Sequence, residues 1–241
     1  MGRKRYTGAD KAESIYVKEL KPKNSAQEYY MSMIRESTIT FGLGPAGTGK
    51  TYVAVALALE ALLDKTVDKV ILTRPIIATE DIGYLPGDMN EKIHPYIMPL
   101  FDAIEDHVGP TKARELLAYG RIEVLPLAFM RGRSLNKSFL LLDEAQNTTP
   151  EQMKMFLTRL GYDSKMVITG DERQSDLKIP MNGLVWASDR LGGTTPEISV
   201  CTFASKNIVR NPLIEKMLQH LEGPEPRFFE TVGRLPQPKL A

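Results

Sequence analysis

Apolar residues in this chain fall either into short unbroken runs or into longer stretches where they recur every three or four positions. Residues 69–73, 138–142 and 165–169 are of the first kind, residues 37–43 and 198–203 set apolar among small polar positions, and all five predict strands. Residues 25–35 and 50–63 are of the second kind and predict helices, the latter rich in Ala and Leu. A further helix is expected after Thr149. Pro150 suits its first turn, Gln152 can reach back as a capping box, and Gly161 ends it. Met153, Phe156, Leu157 and Leu160 share its apolar face. Another helix is expected from Asn211-Pro212 through Ile214, Met217, Leu218 and Leu221 to Gly223. Lys-rich residues 1–23 predict a flexible basic arm, residues 24–222 the folded domain, and the Pro-rich residues 223–241 an extended tail. Strands set among helices imply an α/β fold with a mostly parallel sheet, helices on both faces, and a ligand at the carboxyl ends of the strands.

Composition narrows the class without naming a partner. The 241 residues are 42% hydrophobic and 25% charged, as in a globular protein. Lys plus Arg is 31 against 30 Asp plus Glu, so a net charge of +1 gives no global pull toward nucleic acid and leaves only a local patch open. A single cysteine, Cys201, excludes an internal disulfide and a multi-cysteine zinc site. His94, His107 and His220 are too far apart for a local metal motif. The longest apolar run, residues 52–63, contains Glu60 and is too short to span a bilayer. No apolar signal core follows the basic start, so a reducing cytosolic location and no membrane partner are expected.

The chemistry sits after the first strand. Gly44-Pro45-Ala46-Gly47-Thr48-Gly49-Lys50-Thr51 fits G-x-x-x-x-G-K-[ST] between a predicted strand and a predicted helix. Glycines let successive N–H groups face phosphate oxygens, and the helix N-terminus adds partial positive charge. Lys50 can neutralise the β- and γ-phosphates of ATP, and Thr51 can offer a hydroxyl to Mg²⁺. Gly42, Gly44 and Gly47 also satisfy the dinucleotide fingerprint G-x-G-x-x-G. In that rival, Arg74 at the end of the second strand could meet a 2′-phosphate, but Lys50-Thr51 would have no purpose.

Residues 138–142 end in two adjacent acids, Asp143 and Glu144. In a phosphate-loop ATPase the first holds Mg²⁺ and the second polarises the attacking water as general base. The second acid argues for hydrolysis over phosphoryl transfer to a bound acceptor. Gln146 is a candidate γ-phosphate sensor. Gln174, close after Thr169-Gly170-Asp171 and near Asp176, is another.

Several stretches together resemble a known family: residues 44–51, Thr73-Arg74-Pro75, Gly-Tyr-Leu-Pro-Gly-Asp at 83–88, Pro-Leu-Ala-Phe-Met-Arg-Gly-Arg at 126–133, Leu-Asp-Glu-Ala-Gln-Asn-Thr-Thr-Pro at 142–150 and Val-Arg-Asn-Pro-Leu at 209–213. They are similar to the PhoH-like ATPases from about residue 26 to 221. The resemblance implies a RecA-like fold related to superfamily-one helicases, ATP hydrolysis, and ring-shaped oligomers, often hexamers. Longer members add a PIN ribonuclease domain and unwind RNA, and the chain length leaves no room for that domain. The resemblance places Lys50 and Thr51 at phosphate and Mg²⁺, Asp143 and Glu144 as the acid pair, Gln146 and Gln174 as sensors, Gln27 as an adenine reader and Arg210 as an arginine finger. Asn211 stands where the family often has His, and Glu172-Arg173 put charge where neutral residues are expected.

A superfamily-one helicase closes its ATP site between two RecA-like halves, and this chain supplies one half. An arginine from a neighbouring subunit of a head-to-tail ring is therefore expected, with Arg131, Arg133 and Arg210 as candidates. The leading expectation is a Mg²⁺-dependent ATPase motor or remodeller acting on RNA or single-stranded DNA. The alternatives are an ATP-gated assembly switch without a nucleic-acid substrate and, less in keeping with Glu144, a small-molecule kinase.

Overall fold

The computed structural model describes residues 3–6, 15–76, 89–209 and 217. The chain divides into a unit of residues 1–208 and a second of residues 209–241. In the first, six strands form one all-parallel sheet: β3 (Ile39–Leu43), β4 (Lys69–Arg74), β5 (Ile122–Pro126), β6 (Ser138–Leu142), β7 (Lys165–Gly170) and β8 (Ile198–Thr202). Their spatial order is β5-β4-β6-β7-β3-β8. The helices are α1 (Ser25–Glu36), α2 (Lys50–Leu63), α3 (Met89–Val108), α4 (Pro110–Ala118), α5 (Pro150–Leu157) and α6 (Gly183–Leu191).

The two-residue period of a strand explains why the runs carry no polar face. Val70, Leu72, Phe139, Leu141 and Val167 point into a core shared with α1 to α4. Their neighbours Ile71, Leu140, Leu142, Met166 and Ile168 point into a second core shared with α5 and α6. The sheet is thus covered on both sides, as the sequence predicts.

Some boundaries differ from expectation for local reasons. The capping box at Thr149 is present, but α5 ends at Leu157 rather than before Gly161, because Leu160 leaves the helix to bridge Leu135. Within the stretch read as a basic arm, β1 (Arg3–Tyr6) and β2 (Ile15–Lys18) pair antiparallel, so part of it is regular structure. Lys18 of this hairpin holds Asp106 of α3 at 2.7 Å. The helix expected after Asn211, the tail from residue 223, the stretch 83–88, His220 and Arg210 lie outside the described residues. Among the described residues no helix is long and apolar enough to cross a membrane.

Candidate active site

The carboxyl end of β3 runs directly into the glycine-rich loop. Gly44 adopts φ +124° and Gly49 φ +85°. A Cβ on Gly44 would lie 2.3 Å from the Phe203 carbonyl, and one on Gly49 2.6 Å from the Gln27 amide nitrogen. Only glycine fits both the dihedrals and the space. Lys50 opens α2 and its buried ammonium curls back into the loop, donating to the carbonyls of Gly44 at 2.6 Å and Pro45 at 2.9 Å. Burial holds its pKa below the ordinary lysine value, while the charges of Asp171, Asp143, Glu144 and Glu172 pull it upward. A cation resting on neutral carbonyls among four acids is poised to exchange them for phosphate oxygens.

The acid pair follows β6, and one backbone feature separates the roles of its members. Glu144 has φ +52°, a left-handed conformation that costs a non-glycine residue about 1–3 kcal/mol. The chain turns out of the strand there, so adjacent acids meet different partners. Asp143 Oδ1 accepts from the Thr51 hydroxyl at 2.6 Å and the Thr169 hydroxyl at 2.8 Å. Burial raises the Asp143 pKa, and the Arg74 guanidinium is the chief opposing influence. Glu144 Oε1 accepts from Arg74 at 2.7 Å and its Oε2 from the Gln146 amide at 2.6 Å. The other end of the Gln146 amide accepts from the Asp171 N–H at 3.1 Å, which ties β7 to the second acid. A Cβ on Gly170 would lie 2.5 Å from Gln146 Oε1, so that residue must be small.

A Mg²⁺ ion fits the Thr51–Asp143 pair. Both are hard oxygen donors already within contact of each other, and Mg²⁺ uses few protein ligands and keeps water for the rest. Among the described residues there is no cluster of three or more His, Cys, Asp or Glu side chains that would suit another metal.

Two cavities share Glu144, Gln146 and Gln174 in their linings. One of about 300 Å³ runs along the loop from Ala46 to Tyr52 and reaches Asp143 and Asp171. The other, of about 310 Å³, reaches Arg74, Tyr96 and Asp176. Gln174 is exposed at this boundary.

The structure thus brings Lys50, Thr51, Asp143, Glu144, Gln146 and Gln174 together. Gln27 is buried beside the loop, with its amide donating to the Thr48 carbonyl at 2.8 Å and accepting from the Lys23 N–H at 2.9 Å. Both ends of the group expected to read adenine are thereby engaged in bracing the loop. Arg133 pairs with Glu123 at 2.8 Å and Arg131 is exposed. Sequence reasoning gave Arg74 no part in the ATP site, although β4 neighbours β6 and the register Thr73↔Leu142 sets Arg74 beside Asp143. Arg74 is paired with the acids of the phosphate-loop site, whereas the dinucleotide reading needs it at a 2′-phosphate. Thr169 was a second omission: a hydroxyl at a strand end beside an acid was the available signal.

Residues 19–222 match the model of the family described as PhoH-like protein. A PhoH-like protein of Bacillus subtilis is 48% identical over 204 residues, covering 84% of this chain and 64% of that protein. Protein PhoH of Escherichia coli K12 is 39% identical over 201 residues, covering 81% of this chain and 56% of its own length. The chain therefore spans between half and two thirds of these relatives. The solved structure of Pif1 helicase from Candida albicans aligns with 83% of this chain and 44% of its own, loosely, at 14% identity and a TM-score of 0.40.

Proposed function

We propose that this chain, which belongs to the PhoH-like family, hydrolyses ATP with Mg²⁺ and couples hydrolysis to work on RNA or single-stranded DNA as a ring of identical subunits. The observation that carries the hydrolytic part is the join of loop and acid pair: Thr51 on Asp143 at 2.6 Å, with Glu144 turned separately into the same cavity. Main-chain amides and Lys50 grip the phosphates, and Thr51 with Asp143 would hold the metal. Bound there, Mg²⁺ would neutralise charge on the β- and γ-phosphates. Glu144 takes the proton of the attacking water, and Gln146 and Gln174 orient the γ-phosphate. Gln27 supports the loop while lying near the nucleotide, and Arg210 is the candidate finger from a neighbouring subunit.

Phosphate release from ATP, measured with and without Mg²⁺, RNA and DNA on the parent chain and Lys50→Ala, tests this reading. Metal-dependent turnover that disappears in the variant supports hydrolysis, and a rise with polynucleotide that salt suppresses supports the motor. Mixing Arg210→Ala with Lys50→Ala chains tests the shared site: no recovery of activity in any mixture removes Arg210 as the shared finger. The near-neutral charge favours one second reading, an ATP-gated assembly switch. Nucleotide-dependent mass by light scattering, with no polynucleotide effect on turnover, would favour it over the motor.

A further inference from the structure

Arg74 is where the acid pair meets helix α3. Its guanidinium is mostly buried, with the side chain 18% exposed. One amino group lies 2.7 Å from Glu144 Oε1 and 3.5 Å from Asp143 Oδ2. The other donates to the Tyr96 carbonyl of α3 at 3.0 Å. Three acceptors on two elements thus converge on one planar fork, a geometry that an ammonium on a flexible stem does not reproduce. Glu144 has its second oxygen on Gln146, so each carboxylate oxygen carries a charge-assisted or amide bond. An acid held this way is aligned through both of its oxygens. Arg74 and the cavity on the loop side both face Glu144, so when its carboxylate turns toward a nucleotide or water in that cavity the bond to Arg74 lengthens and the guanidinium shifts with respect to Tyr96.

Resting on the ATPase reading above, we propose that Arg74 is a positioning residue which aligns Glu144 and relays its engagement to α3 through the Tyr96 carbonyl. The helix that receives the relay contains Pro95 and Pro99, each of which removes an internal hydrogen bond, so its backbone near Tyr96 is held less firmly by the helix itself. Nucleotide occupancy on one side of Glu144 is thereby read out on the other, in the cavity that Arg74 and Tyr96 line.

The test compares the parent chain with Arg74→Ala and Arg74→Lys. Fluorescent ADP affinity, kcat and KM for ATP, and hydrogen exchange over residues 96–104 with and without a non-hydrolysable ATP analogue and Mg²⁺ are measured on all three. The expected result is ADP affinity and KM within about threefold of the parent and kcat reduced about 10²-fold in the alanine variant, the loss that accompanies a displaced catalytic group. Lysine should recover little of it, and the nucleotide-dependent change in exchange over 96–104 should vanish in both variants. A kcat within threefold of the parent in Arg74→Ala, full recovery with lysine, or an unchanged exchange response overturns the relay while leaving hydrolysis standing. Absence of nucleotide binding and turnover in the parent chain overturns both. If Arg74→Ala melts without a cooperative transition, Arg74→Lys decides by the same split of kcat from KM and the same exchange response.

Discussion

Replacing Glu144 by Gln separates catalysis from architecture more sharply than any change in the loop. The amide keeps an oxygen where Arg74 donates and keeps the side-chain volume, but it turns a donor toward the Gln146 amide, so its cost to folding is that of one partly exposed ion pair and one hydrogen bond. Pairs of this kind contribute about 0.2–1 kcal/mol. The Glu144 side chain is 40% exposed, which places that part of the loss in that range, and the bond from Gln146 adds about 0.5–1.5 kcal/mol. Melting temperature should fall by about 2–4 °C for each kcal/mol lost in a domain of this size. The loss of a general base costs far more, about 10²–10⁴ in turnover, or roughly 3–5 kcal/mol of barrier. Affinity should hold or tighten, because one of the four acids whose charge acts at Lys50 has gone and less negative charge opposes the phosphates. Phosphate release, fluorescent-nucleotide titration and thermal melting on one preparation give all three quantities. A kcat within threefold of the parent, or an activity loss matched by an equal loss of affinity, would refute Glu144 as the base.

Gly49→Ala should destabilise the fold by about 1–2 kcal/mol from the left-handed backbone alone. It should also weaken nucleotide binding at least tenfold by displacing Gln27 from the loop, as read by melting and by titration. Burial holds the His107 pKa below its usual 6.5, so the unfolded chain takes up the proton first as pH falls. Stability should therefore drop between about pH 7 and 5, and His107→Phe should flatten that slope in chemical denaturation curves measured across the same range. Burial also pushes the Cys201 thiol up to about 11, so a disulfide reagent at pH 8 should label it only when denaturant opens the fold.

What was legible in the sequence followed from burial. Strands β3, β4, β6 and β7 lie inside the sheet and are buried along most of their length, so their apolar residues marked them to within two residues, and the edge strand β8 was marked by Ile198, Val200, Cys201 and Phe203. Strand β5 lies at the sheet edge with Glu123 in its middle and only its end residues buried, and no apolar run announced it. Helix α3 carries two internal prolines, a residue type disfavoured inside helices, and no helix was expected there. The loop, Asp143 and Glu144 were legible because phosphate chemistry fixes residue type and spacing together. The left-handed turn at Glu144 was not, since nothing in its residue type demands it. Nor was the Arg74 clamp, which depends on which strands lie side by side and so on topology rather than on local pattern.

The amide of Gln27 is anchored at one end on the Thr48 carbonyl and at the other on the Lys23 N–H, while Asn24 caps the helix it sits on. The ligand pocket therefore has a support that comes from well upstream of the signature loop. A shortened protein starting after residue 24 would keep every residue of the phosphate motif and still lose the cap and one of the two anchors. Trimming there in search of a minimal ATPase would loosen the grip on the triphosphate.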